Sequence, residues 1–259
     1  MSNLTFAKWI AEAPGWVLGL SEGLQRFVFQ LYQCFIYGDR WKMYLNGLKI
    51  TFIVTVGALA LGVVIGLILA VIRTSHDSYT ATKPPVVLRL LNAAVQVYLT
   101  VIRGTPMMVQ LLIMGFVIMM PKTQAGGIAC GIITLGINSG AYVAEIIRSG
   151  LQSIPKGQTE AGRSLGFNFF QTMWYIVIPQ AIKNILPALG NEMITLLKDT
   201  SLVSVIALRD VTKQAQNIVS VTYNAFVPYI TLALIYLTLV LILTKLLRIL
   251  ERRLKKSDH

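Results

Sequence analysis

The sequence predicts an all-α integral membrane protein, with five transmembrane helices preceded by an amphipathic helix lying on the outer membrane surface. Three observations carry this. Of the 259 residues, 55% are hydrophobic and 13% charged, with a mean hydropathy of +0.65, which is more apolar chain than a soluble core of this length buries. Five apolar runs each approach or exceed the roughly 20 residues that a helix needs to cross about 30 Å of hydrocarbon. The 23 Lys and Arg and 11 Asp and Glu collect mostly between those runs, so the net charge of +12 marks membrane flanks and excludes a nucleic-acid surface.

Residues 1–44 lack the short basic start, apolar middle and small-residue cleavage site of a secretory signal, which predicts that the first span inserts uncleaved. Within them Leu20, Leu24, Phe27, Val28, Leu31 and Phe35 recur at helical spacing, with Glu22, Gln25, Arg26, Gln30 and Gln33 on other faces. This predicts the interfacial helix. The competing reading, a sixth crossing, would carry those five polar side chains through hydrocarbon. A membrane domain over 45–250 follows, with spans at 45–72, 88–120, 128–147, 185–208 and 227–247, and a basic tail over 251–259. The connections that fall on one side with the tail hold 13 Lys and Arg against 7 on the other. The positive-inside rule then puts the N-terminus outside and the C-terminus in the cytoplasm, in a multi-pass protein of the inner (cytoplasmic) membrane. Gly62 with Gly66, and Gly136 with Gly140, have the spacing that lets helix backbones approach closely, here expected within one subunit. Cys34 and Cys130 lie far apart without ligand-like spacing, and His76 and His259 stand alone, so no metal site is expected.

The longest hydrophilic interruption, about 149–184, reads as two short helices. Pro155 suits the first turn of a helix running through Glu160 to Leu165, and Gly166 suits its stop. Asn168 then caps a second amphipathic segment with Phe169, Met173, Trp174 and Ile176, ended by Pro179. Such an element offers a helix to a groove in another protein; on chemistry alone an interfacial hairpin is equally open. No GxxxxGK[ST] phosphate loop occurs.

Ionisable groups inside a span usually face protein or a watery cavity, which singles out Arg103, Glu145, Glu192, Lys198 and Asp199. Asn138, Tyr142 and Glu145 share one helix face, and Glu192, Thr195 and Asp199 share another, so the two stripes are candidates to line one cavity. Bland alternatives stay open: Glu145 and Glu192 at helix ends, Arg103 in a structural ion pair with Asp199 or Glu145, Tyr142 packed with its hydroxyl satisfied.

Glu160-Ala161-Gly162, three residues, Gly166, nine residues and Ile176-Val177-Ile178-Pro179 together resemble the Glu-Ala-Ala loop of ABC importer permeases. Gly162 stands where that loop has alanine and Ile178 where it has leucine. The sequence is similar further to the polar amino acid branch of that family, in Arg103-Gly104-Thr105-Pro106, Ala141-Tyr142-Val143-Ala144-Glu145-Ile146, Ile154-Pro155-Lys156-Gly157-Gln158, Leu189-Gly190-Asn191-Glu192 and Leu197-Lys198-Asp199-Thr200-Ser201-Leu202. The likeness covers about 45–250 and leaves 1–44 outside it.

The resemblance implies a type I importer permease core working as a pair with an identical or paralogous permease. It implies a cytoplasmic loop, with Lys156, Glu160, Ala161, Gly162, Gly166 and Pro179, seated in each of two copies of an ATP-binding subunit. ATP and Mg²⁺ would be bound by that partner, leaving this chain without a cofactor and without catalysis. An extracytoplasmic binding protein would deliver an amino acid. Asn138, Tyr142, Glu145, Thr195, Asp199 and Arg103 are its candidate contacts, since a free amino acid needs acceptors for its ammonium and donors for its carboxylate. An ion-coupled secondary transporter is the rival, but five spans do not show the paired repeats with interrupted helices that mark one. A membrane enzyme is less supported still, for no nucleophile and base pair is visible.

Overall fold

The computed structural model describes residues 5–79 and 83–256. Among them there is no strand. Three short helices, α1 (Phe6–Ala11), α2 (Gly15–Leu18) and α3 (Glu22–Phe35), precede α4 (Arg40–Asp77). Then come α5 (Val86–Gly104), α6 (Met107–Ile113), α7 (Gln124–Gln152), α8 (Lys156–Ser164), α9 (Phe169–Thr172), α10 (Ile178–Asp199), α11 (Val211–Thr222) and α12 (Phe226–Lys256). The start of the N-terminal segment, 1–4, and the end of the basic tail, 257–259, lie outside the described residues.

Four helices among the described residues are long and apolar enough to cross a membrane: α4, α5, α7 and α12. The fourth expected run is divided otherwise than read. α10 begins at Ile178, ends at Asp199 and passes into a 3₁₀ stretch over Thr200–Ile206. The second expected run, 88–120, is not one helix. Thr105 is extended (φ −111°, ψ 140°) because the residue before a proline is pushed out of the helical region, and Pro106, with no N–H to give, starts α6 afresh. α6 then widens into a π-helical turn over Met114–Ile118.

The centre of the molecule is the pair α4 and α7. Gly57 faces Ile132, Gly62 faces Ser139 and Gly66 faces Val143, so the two helices run parallel. The glycine pairs do what their spacing predicts, within one chain. A Cβ on Gly62 would sit 2.9 Å from that of Ser139, and one on Gly136 2.8 Å from Leu61 Cδ2. Around this seam Val54, Ala58, Leu111, Cys130, Leu135, Leu196 and Val203 form a buried core to which α6, α10 and the 3₁₀ stretch contribute. A second cluster of Cys34, Tyr44, Val211, Ala215, Ile218 and Val227 joins α3 and the ends of α4 and α12 to α11. The amphipathic helix predicted near residues 20–35 is α3, and its Leu24, Phe27 and Leu31 stay exposed.

Gly47 is the tightest approach to another backbone, with an added Cβ falling 2.6 Å from Val211 Cα and 2.8 Å from Val211 N. Gly47→Ala should therefore lower the stability of the detergent-solubilised protein by about 1–3 kcal/mol, as overpacking does. Gly57→Ala, which meets only the movable side chain of Ile132, should cost less. Thermal unfolding of the two variants orders them.

Asp210 caps α11, its Oδ2 accepting from Thr212 N at 3.0 Å and its Oδ1 from Lys213 N at 2.9 Å. Burial outweighs these donors and pushes its carboxyl from 3.8 up to about 6. The folded chain thus holds this proton more tightly than the unfolded one. The stability contributed by Asp210 should be fullest below its ordinary 3.8 and fade as pH rises through about 6. Asp210→Asn, which keeps an acceptor, should flatten that part of the melting temperature's pH dependence.

Candidate functional site

The hairpin expected from the sequence is built, and its turn is held by two motifs back to back. α8 follows Pro155 and ends on Gly166 at φ +88°, with Gly166 N donating to Arg163 O (3.0 Å) and Phe167 N to Gly162 O (3.2 Å). That left-handed residue closes the helix as only glycine does without strain. Asn168 then starts α9 with a capping box: Gln171 N donates to Asn168 Oδ1 and Asn168 N to Gln171 Oε1, both at 2.9 Å. At Gly162 a Cβ would meet Ile176 Cδ1 at 2.7 Å and Thr172 Cγ2 at 3.0 Å. The departure from alanine there lets α8 lie directly on the second arm.

The second arm does not end at Pro179. α9 passes through a π-helical turn, Met173–Val177, straight into α10. A proline ring would strike the carbonyl four residues back, that of Tyr175, and the widened turn accommodates this, while Pro179 itself sits in the first turn of α10 where a missing N–H costs little. Lys156, Glu160, Ala161 and Pro179 are exposed and Gly162 is buried. Leu165, Phe170, Trp174 and Tyr175 are each at least two-thirds exposed, an apolar surface crowning a polar hairpin. Asn184 Nδ2 donates to Ser153 Oγ (2.8 Å), tying the hairpin's two roots.

The intramembrane candidates fall into two groups. On α7, Asn138 Nδ2 donates to Gln110 Oε1 (3.1 Å), while Gln110 Nε2 donates to Ile102 O (2.7 Å) and Thr105 Oγ1 (2.8 Å). Gln110 so bridges the break at Pro106 and satisfies a carbonyl that the proline leaves free. Glu145 is gripped by two arginines: Arg73 on one oxygen and Arg148 on the other, at 2.9 and 3.1 Å. Arg103 pairs with neither Asp199 nor Glu145; its guanidinium carbon lies 5.5 Å from the Tyr142 ring centre. Arg73, Gln96, Thr100, Arg103, Tyr142 and Glu145 line a cleft of 550 Å³.

On α10, Glu192 Oε1 accepts from Ser139 Oγ (2.7 Å), and Thr195 Oγ1 donates to its own helix at Asn191 O (3.2 Å). Asn191, Thr195 and Lys198 form an exposed polar row at i, i+4, i+7, with Asp199 half-buried beside it. None of Glu192, Thr195 and Asp199 is among the residues that line the cleft of Tyr142 and Glu145. The small side of α7, at Ser139, faces α10, and its Tyr142 side faces α5. Sequence reasoning missed Gln110, Ser139 and Arg73. The first announced itself only by following a proline, the second is too small to stand out, and the third was counted as a flanking charge.

The described geometry has clear counterparts. The family model for the binding-protein-dependent transport system inner membrane component matches residues 86–256. The chain belongs to that family. It is 38% identical over 219 residues to the probable glutamine ABC transporter permease protein GlnM of Bacillus subtilis, covering 85% of this chain and 96% of that one. It is 39% identical over 215 residues to the arginine transport system permease protein ArtQ of the same organism, covering 83% and 93%. Among solved structures, an amino acid ABC transporter with histidines matches at a TM-score of 0.72 and 43% identity, over 82% of this chain and 94% of that one. The methionine ABC transporter MetNI, inward-facing, matches at 0.69 and 20% identity over 82% and 96%, a likeness of fold alone. This inner membrane component is thus an all-helical, multi-pass membrane protein and a transport component, with no metal-ligand cluster among its described residues.

Glu145→Gln would leave Arg73 and Arg148 facing each other, both mostly buried, with 19% and 26% of their side chains exposed. A loss of about 1–3 kcal/mol is expected, with partial recovery when Arg73→Gln is added. Thermal unfolding of the single and double variants measures both.

Proposed function

We propose that this chain is the membrane-spanning permease of an ATP-driven importer of polar or charged amino acids. It crosses the membrane five times, with α10 as the fourth span, the N-terminus outside and the hairpin of α8 and α9 in the cytoplasm. It pairs with a second permease, identical or paralogous, and each hairpin seats in one of two ATP-binding subunits that hold ATP and Mg²⁺. A binding protein delivers the amino acid from outside.

The observation that carries this reading is the unbroken helical path from Phe169 through the π-helical turn to Asp199. It joins the exposed apolar hairpin to the polar row of Asn191, Thr195 and Lys198. In hydrocarbon that row would be costly, so it faces the second permease across a watery passage. Movement of an ATPase at one end then reaches the passage through one rigid element, the coupling that alternating access requires. Within the passage Glu192 and Asp199 offer acceptors to a substrate ammonium, and Lys198 offers donors to its carboxylate. On α7, Asn138, Tyr142 and Glu145, with Arg103 above the Tyr142 ring, serve the inner cleft. The relatives named for glutamine and arginine transport favour an amino acid, and the 13 to 7 split of Lys and Arg favours this orientation.

Transport by the full complex in proteoliposomes tests the reading, with each of the twenty amino acids offered through the binding protein. Gly166→Trp should insert normally yet reduce uptake at least about tenfold. A side chain at φ +88° costs on the order of 1–2 kcal/mol and disturbs the seat of the hairpin. ATP hydrolysis should continue without responding to substrate. Uptake at the wild-type rate would sink the docking role of the hairpin.

A further inference from the structure

At the end of the bundle opposite the hairpin, a cleft of 710 Å³ opens between the turn that leads into α4 and one side of α11. Tyr37, Arg40, Met43, Arg209, Asn217 and Val221 are among its lining residues. No carboxylate lines it. The two nearest in sequence are engaged elsewhere: Asp39 with Lys42 at 2.6 Å, and Asp210 with the backbone of α11. Arg40 is 7% exposed and is fixed by its Nη1 donating to Gln33 O (2.5 Å) and by the Tyr37 ring 5.4 Å from its guanidinium carbon. Arg209 is exposed and meets no carboxylate among the described residues. One cation is therefore built in and a second is free to close on a guest.

Two guanidiniums with no acid between them suit a tetrahedral oxyanion, which their planar forks meet with paired hydrogen bonds. The surroundings identify its source. Trp41, next to Arg40, is exposed, as are Phe226 and Tyr229 at the start of α12 and Leu24, Phe27 and Leu31 on α3. Exposed aromatic and apolar side chains at the end of a span mark head-group depth. Met43 and Val221 give the cleft an apolar wall that suits the first methylenes of an acyl chain. We propose that this cleft binds a phosphate group, supplied by the head group of an anionic phospholipid. The segment before α4, which supplies Tyr37, thereby becomes part of a lipid site.

Native mass spectrometry of the full chain, released from nanodiscs of phosphatidylglycerol and phosphatidylcholine in equal amounts, reads the site. The wild type should retain phosphatidylglycerol in preference. Arg209→Gln, a surface change that leaves the fold intact, should cut that retention about tenfold, the effect of one lost charge-assisted contact. Lys122→Gln, at an exposed lysine outside the cleft, should leave it unchanged. A second arm adds millimolar inorganic phosphate to the chain in neutral detergent and follows the melting temperature. A shift present in wild type and lost in Arg209→Gln, without lipid preference, would keep the anion site and overturn the lipid as its source. Equal retention of both lipids with no phosphate shift, or equal loss in Lys122→Gln, would overturn the site itself.

Discussion

The approach of α4 to α7 through glycine is the contact on which the rest of the arrangement depends. Hydrocarbon gives helices no hydrophobic reason to associate, so they are held by close packing and by polar groups that find partners inside the protein. Gly62 and Gly66 on one helix and Gly136 and Gly140 on the other remove the side chains that would keep the two apart. Once they touch, Ser139 is presented to Glu192 on α10, and Glu145 reaches Arg73 at the far end of α4. The polar groups can then be buried because the backbones are close.

The same demand for internal satisfaction explains the irregular places. Pro106 breaks the second apolar run, and Gln110 answers the break. Pro179 needs room, and the turn before it widens. Asp210 is buried because α11 needs its cap where Val211 packs on Gly47. Each irregularity is local and each has a neighbour that compensates for it.

Most of this architecture was legible in the sequence because it is written in short-range signals. Run length and charge flanks gave the all-helical membrane class, and Gly166 with Asn168 gave the hairpin turn, since helix stops and caps need particular residues at particular offsets. The permease family was implied by the resemblance of Glu160-Ala161-Gly162, Gly166 and Ile176-Val177-Ile178-Pro179 to the Glu-Ala-Ala loop. What was not legible depends on geometry across elements. Helical spacing groups Asn138, Tyr142 and Glu145, and Glu192, Thr195 and Asp199, along their own helices, but which neighbour each row faces is set by the rotation of α7 between α5 and α10. The split of 88–120 into two helices was signalled by Thr105-Pro106 and hidden by the mostly apolar residues on both sides. α10 was shifted because Lys183, Asn184 and Pro187 make its first half look like a loop.

The turn of the α8–α9 hairpin is held by contacts between residues close in the chain. The closing bonds at Gly166, the capping box at Asn168 and the contact of Gly162 with Thr172 and Ile176 all join residues close in the chain, Gly162 and Ile176 being the most widely separated. Contacts of such short range form quickly, with little loop-closure entropy to overcome. This segment can therefore take its shape from its own residues, without waiting for α10 to pack against the other helices. The hairpin is then a finished part when the long helices assemble around it.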